Sequence, residues 1–244
     1  MYLDKYVEIT GTIHCLSGVR IGGNNNVIEI GTIDNPIIRN PITNHPYLPG
    51  SSLKGKMRSS LEITLRKGAP PAISLPLPRL ETKQRDGKDE IAPCACGRCV
   101  VCKLFGSGDN KTNFEPTRLL FRDCMLTPES VEVLINAARE SGVFFAEVKP
   151  GIRMNRATNS VAKGAFFNFE RVPEGIEFKF ELVLRLYGDL DPEQARTDYQ
   201  AVVRRGLQLL EKEGIGGKIS AGYGKIEFRD LKWDGQGFDH RKEA

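Results

Sequence analysis

The chain has 244 residues, 35 Lys and Arg against 31 Asp and Glu, a net charge of +4 and 40% hydrophobic residues. That balance suits one elaborated domain able to bury a real core and excludes a disordered polyelectrolyte. No run of eighteen uncharged apolar residues occurs and the opening MYLDKYVEITGTI lacks secretory-signal features, so the expectation is a cytoplasmic protein with no membrane partner.

In chain order, residues 6–14 alternate as a strand, and a turn-rich stretch from Ser17 to Pro49 follows, too long to be a plain connection. PGSSLKGKMRSSLEITLRK predicts a helix capped by Ser51 or Ser52, with Leu53, Met57 and Leu61 as its apolar stripe and Lys54 and Arg58 on another face. Residues 68–117 read as irregular, too poor in apolar residues to pack unaided. TRLLFRDCML predicts a strand, and TPESVEVLINAARESG a helix capped by Thr127, with Pro128 first and Gly142 as its stop. Residues 144–172 read as two strands joined by a polar excursion. IEFKFELVLRLYG alternates, with Ile176, Phe178, Phe180 and Leu182 on one face. A long helix follows, with Asp191 as cap, Pro192 at its start, Gln194 completing a capping-box-like pattern and Gly214 as its stop, and GKIEFRDLKW closes as a strand. This order predicts an α+β fold, a modified RRM or ferredoxin-like palm with helices on one sheet face.

Four of the six cysteines, Cys94, Cys96, Cys99 and Cys102, crowd into nine positions. Two successive C-x2-C steps present three thiolates to one ion, and the closed all-thiolate set points to structural zinc rather than to a redox pair or an iron–sulfur cluster. The fourth ligand is Cys94, or else His14, His45 or Cys124. Cys15 and Cys124 read as small buried apolar residues.

Three cationic runs stand out for so small a net charge: Lys54, Lys56 and Arg58; Lys149, Arg153, Arg156 and Lys163; and the loop GIGGKISAGYGK, where Gly216, Gly217, Lys218, Gly222 and Gly224 can let a backbone approach a phosphate or simply make a tight helix-to-strand turn. Their segregation is the footprint of a nucleic-acid track. Catalytic patterns are scarce. Asp34, in IGTIDNPIIRNP, is by local chemistry an Asx-type turn residue, although a lone carboxylate can serve phosphoryl chemistry by holding Mg2+ or orienting a 2′-hydroxyl.

Taken together, SGVRIGG, IGTIDNPIIRNPITNHPYLPGSSLKGKMRS, CKLFGSG, RLLFRDCML, EVKPGIRMNRAT and GIGGKISAGYGKIEF resemble the RAMP-superfamily backbone subunit of type III-A (Csm) CRISPR effector complexes. The resemblance implies a single RRM-like domain over residues 1–244 with insertions at about 17–49, 68–117 (zinc-binding) and 149–165 (thumb region). It implies crRNA binding by a filament of copies alongside other type III subunits, and metal-dependent cleavage of the complementary target RNA. The family's catalytic aspartate falls on Asp34, with a divalent cation such as Mg2+ for cleavage. Arg20, the Lys54–Arg58 helix start, the Lys149–Arg156 region and the glycine loop fall on its RNA-binding surface. Arg20 stands where many relatives have His, and Ala221 where Arg is frequent. A non-catalytic RNA-binding relative and the equivalent type III-B subunit remain the alternatives, with a free zinc or redox protein outside the family.

Overall fold

The computed structural model describes residues 2–22, 36–66, 73–85, 87–108, 115–141 and 145–242. Its elements are β1 (Leu3–Cys15), β2 (Tyr47–Leu48), α1 (Gly50–Leu65), β3 (Glu81–Arg85), β4 (Lys88–Ala92), α2 (Val100–Phe105), β5 (Leu119–Phe121), β6 (Cys124–Met125), α3 (Pro128–Ser141), β7 (Glu147–Asn155), β8 (Ser160–Arg171), β9 (Glu177–Tyr187), α4 (Glu193–Glu213), β10 (Ile226–Trp233) and β11 (Gln236–Gly237). With the insertions set aside, β1-α1-β5-β9-α4-β10 is a βαββαβ unit. Its strands lie in the order β10-β1-β9-β5, every neighbouring pair antiparallel, with β11 added at the β10 edge. This is the expected ferredoxin-like palm.

Alternation decides which way the sheet faces. Val7, Ile9, Ile13 and Cys15 of β1, Phe178, Phe180, Leu182 and Leu184 of β9, and Ile226 and Phe228 of β10 are buried under Leu53, Met57 and Leu61 of α1 and Tyr199, Val202, Val203 and Leu210 of α4. On the opposite face His14 Nδ1 lies 3.0 Å from Glu177, and Arg229 bonds Glu177 at 3.1 Å and Glu227 at 2.9 Å. That face is polar, and these four residues pair their charges with one another.

Local cap signals hold at α3, where the Thr127 hydroxyl accepts from Ser130 N–H at 3.2 Å, and fail at the other two long helices. Neither Ser51 nor Ser52 caps α1. Its first residue, Gly50, instead donates its N–H to Asp123 at 2.8 Å, a carboxylate delivered by the turn between β5 and β6. Asp191 does not cap α4 either, and the helix starts after Pro192 rather than at it. The Asp191 carboxylate lies in the interior, accepting from Arg118 at 3.0 Å, Tyr199 Oη at 2.8 Å and Tyr187 N–H at 2.8 Å, with Arg118 wholly buried.

The insertions are more regular than their composition suggests. Residues 68–117 contain the hairpin β3–β4 and the short helix α2 among their described part. The segment 117–126 is two strands: β5 joins the palm while β6 pairs with β2. The excursion expected between two strands is itself a ribbon, β7 and β8 pairing from Glu147↔Arg171 out to Asn155↔Ser160. Gly142 and Asp34 lie outside the described residues.

Candidate nucleic-acid interface and metal centre

The backbone after β1 is held from two sides. Toward the glycine loop, Leu16 N–H donates to Lys225 O at 2.9 Å, Gly224 N–H to Gly18 O at 3.0 Å and Gly217 N–H to Arg20 O at 2.8 Å. Toward the ribbon, Val19 bridges Val172; farther on, Gly22 bridges Ile37 and Ile38 N–H donates to Ile21 O at 3.0 Å. Glu170, buried on β8, closes the arrangement by accepting from Ile37 N–H at 3.0 Å and Arg39 at 2.9 Å. The segment that carries Asp34 therefore leaves at Gly22 and returns at Ile37 beside both the glycine loop and the ribbon.

Cations and aromatic rings interleave here. Lys218 Nζ lies 3.6 Å from the centroid of Phe169 and 5.3 Å from that of Phe167, and Arg20 lies 5.3 Å from Phe169. Lys149 and Arg171 lie 5.3 and 4.7 Å from the Tyr223 centroid. Rings that hold cations without neutralising them suit a polyanion, because the positive field survives for the ligand. Arg171 also pairs with Glu147, the carboxylate that opens β7. Of the residues in this cluster, the sequence reading names Arg20, Lys149 and Lys218; Arg171, Phe167, Phe169, Tyr223 and Glu170 are added by the structure. The available signal was the FFNFER run, whose Phe167, Phe169 and Arg171 share one face at a period of two.

Gly216, Gly217, Gly222 and Gly224 of the loop divide by what surrounds them. A Cβ at Gly216 would sit 2.3 Å from Arg20 O and one at Gly224 2.0 Å from Ile215 O, and both residues have φ near +80°. Those two serve the turn itself. At Gly222 a Cβ would meet nothing within 4 Å, and at Gly217 its nearest neighbour would be Arg20 Nη1 at 3.4 Å. Gly217 and Gly222 are the loop positions where the backbone lies open.

Arg153 and Arg156 are exposed at the outer part of the ribbon, away from the loop cluster. At the start of α1, burial lowers the Lys54 pKa, and neighbouring Arg58 and Arg185 lower it further. Lys56 bonds Glu213 at 2.6 Å, and Arg58 bonds Glu62 at 2.9 Å and Cys94 O at 2.9 Å. The helix start is thus less available to a ligand than its charge suggests.

The four clustered cysteines converge. Their sulfurs all lie within 4.8 Å of one another, Cys94 to Cys99 at 3.8 Å and Cys96 to Cys102 at 4.0 Å. A tetrahedron with Zn–S bonds of about 2.3 Å has edges of about 3.8 Å, whereas a disulfide needs about 2.0 Å. Backbone N–H groups of Arg79, Cys99 and Cys102 point at Cys94, Cys96 and Cys99 sulfur, each at 3.3 Å, as thiolates require. Hydrogen bonding from Cys99, against the effect of burial and with help from Gly97 N–H, Cys94 and Cys96, pushes the Cys102 thiol down to about 5, while Cys99 is pushed up by that same bond and by burial. The donor set fits zinc, with Cys94 as the fourth ligand. His14 is engaged by Glu177, His45 stacks on Phe145 and Cys124 is buried against β2, so none of these alternatives is needed. Burial also pushes the Cys15 and Cys124 thiols up to about 12, in keeping with inert core positions.

A ferredoxin-like palm with a cation-and-aromatic cluster at one end and a thiolate knot in an insertion defines an RRM-like protein of the nucleic-acid-handling class. The chain belongs to the RAMP superfamily, whose profile matches residues 12–227. It is 39% identical to the CRISPR system Cms endoribonuclease Csm3 of Methanothermobacter thermautotrophicus, over 95% of this chain and 87% of that protein. It is 36% identical to the protein of the same name in Methanocaldococcus jannaschii, over 94% and 81%. Among solved structures it resembles a chain of the Csm3-Csm4 subcomplex in the type III-A CRISPR-Cas interference complex, at 30% identity and a TM-score of 0.53, over 96% of this chain and 80% of that one. No helix of the described residues is long and apolar enough to cross a membrane.

Proposed function

We propose that this chain is a crRNA-binding backbone subunit of a type III-A CRISPR interference complex and that it cleaves the complementary target RNA. One observation carries the reading: the two ends of the segment bearing Asp34, Gly22 and Ile37, are pinned together between the glycine loop and the cationic ribbon. Guide phosphates lie along Arg20, Lys149, Lys218 and the bare backbone at Gly217 and Gly222, with Lys54 and the ribbon residues Arg153 and Arg156 extending the track. Lys56 reaches RNA only by exchanging its partly exposed pair with Glu213, a small cost. Asp34 acts on the 2′-hydroxyl beside the scissile phosphate. A divalent cation such as Mg2+ would supply charge neutralisation there, and zinc, which Cys94, Cys96, Cys99 and Cys102 would hold, would fix the insertion and take no part in cleavage. Copies of the chain repeat the contact along one strand, so a weakly basic protomer attains tight binding by multivalency, in the cytoplasm and with other type III subunits.

The test is cleavage of a complementary RNA by reconstituted complexes carrying the wild-type chain or Asp34→Ala, with target binding measured for both. Loss of cuts with binding intact is expected. Unchanged cutting would remove Asp34 from the chemistry.

A further inference from the structure

The geometry points to Arg58 and Glu62 as positioning residues of the metal knot rather than members of the RNA track. Glu62 is buried, and its Oε1 accepts from Arg58 Nε at 2.9 Å and from Cys94 N–H at 3.1 Å. Arg58 Nη2 donates to Cys94 O at 2.9 Å. One i,i+4 pair on α1 thus captures both backbone polar groups of one cysteine. Gly108 N–H donates to the same Cys94 carbonyl at 3.1 Å.

Cys94 is the ligand that needs such a clasp. Cys96, Cys99 and Cys102 are organised by their own turn and by the start of α2, where each C-x2-C step closes with an N–H···S bond. Cys94 has no equivalent step, and its spacing of one residue from Cys96 does not turn its sulfur toward the others unaided. Charge works in the same direction. Four thiolates around one Zn2+ leave two net negative charges, and the Glu62 carboxylate adds a third close by. The Arg58 guanidinium is the cation that bonds both the carboxylate and the cysteine backbone. Were Arg58 to turn to an RNA phosphate, a buried carboxylate would lose its charged partner and the Cys94 carbonyl a donor, a double loss that surface phosphate binding does not recover.

This inference rests on the zinc assignment of the knot. The full-length chain is prepared as wild type, Arg58→Met, Arg58→Lys, Glu62→Gln and Lys149→Ala. Bound zinc is measured by elemental analysis, its affinity by competition with a chromogenic chelator, and RNA affinity on the same samples. Arg58→Met and Glu62→Gln are expected to weaken zinc binding about 10–100-fold. Arg58→Lys, which keeps the charge and the fold but loses the two-point grip, should show the same direction. Lys149→Ala should weaken RNA binding and leave zinc unchanged. Wild-type zinc affinity in Arg58→Met and Arg58→Lys, with RNA affinity reduced, would return Arg58 to the RNA track and overturn the inference. A wild-type chain without zinc would instead overturn the metal assignment beneath it.

Discussion

Replacing Asp191 with Ala removes the acceptor of a buried network, and the cost can be worked from its parts. Arg118 is fully buried and loses a partner at 3.0 Å; Tyr199 Oη and Tyr187 N–H each lose an acceptor at 2.8 Å. An orphaned buried donor costs about 1–3 kcal/mol, and breaking a buried ion pair from one side about 3–5 kcal/mol. These overlap, and Arg118 keeps Glu115 at 2.6 Å and Pro116 O at 2.9 Å, so the expected loss is about 4 kcal/mol. That is a large share of the roughly 5–15 kcal/mol that stabilises a domain. Urea denaturation followed by far-ultraviolet circular dichroism should show the midpoint falling sharply. The double variant Arg118→Met with Asp191→Leu, which leaves no buried guanidinium unpaired, should recover the share owed to that charge but not the share owed to Tyr199 Oη and Tyr187 N–H, which stay without their acceptor. A cost below about 1 kcal/mol for Asp191→Ala would refute the argument, since the network would then be replaceable by water.

Four further outcomes are expected. Gly224→Ala should destabilise the chain by several kcal/mol in the same denaturation assay, because its Cβ would lie 2.0 Å from Ile215 O, whereas Gly222→Ala should cost about 1 kcal/mol in stability and act mainly on RNA affinity. Lys218→Ala should weaken RNA binding and make its dependence on log salt concentration shallower by about 0.7, read by filter binding across a salt series. Burial raises the Glu211 carboxyl, but His240, Arg241 and Phe228 N–H outweigh it and hold it at about 2 against an ordinary 4.5. Its stabilising share, about 1–2 kcal/mol after solvent screening, is complete above pH 4.5 and is lost as pH falls toward 2; Glu211→Gln should flatten that part of the stability profile. Stripping metal with a strong chelator should open residues 87–108 to proteolysis before the palm loses amide-exchange protection.

Much of the palm was legible because its signals are local. The alternation of Phe178, Phe180 and Leu182, the Thr127–Pro128 helix start and the C-x2-C steps each act over a few residues and survive in the structure. What failed to show was settled by partners far away in sequence. Asp191 carries a good cap signature, yet Arg118 claims its carboxylate, and the α1 cap comes from Asp123 rather than from the adjacent serines. The outer part of the ribbon reads as an excursion between two strands because outer β7 and the first two residues of β8 are exposed, which removes the alternation a half-buried strand would show. Lys56 and Arg58 read as free cations because Glu213 and the Cys94 backbone meet them only in three dimensions.

An RRM-like palm invites the expectation that nucleic acid lies across the open sheet, but the charges at its His14 end argue against this. Glu177 and Glu227 balance Arg229 there, so an approaching phosphate meets paired charges rather than a positive field. At the end of the sheet the situation reverses: Lys218, Lys149 and Arg20 lie over aromatic rings, which fix cations without cancelling them. The same end holds Glu170, whose carboxylate grips Ile37 and Arg39. Asp34 stands three residues before Ile37, and three residues of chain span at most about 10 Å. If Asp34 is the cleaving group, as proposed, a carboxylate tethered that closely to a fixed post would gain from proximity what it lacks in catalytic company, because phosphoryl chemistry depends chiefly on positioning and charge. The scarcity of histidines and other acid–base groups in this chain is therefore compatible with the proposed cleavage: the Glu170 contacts that fix Ile37 and Arg39 would do the placing that a richer set of side chains would otherwise have to supply.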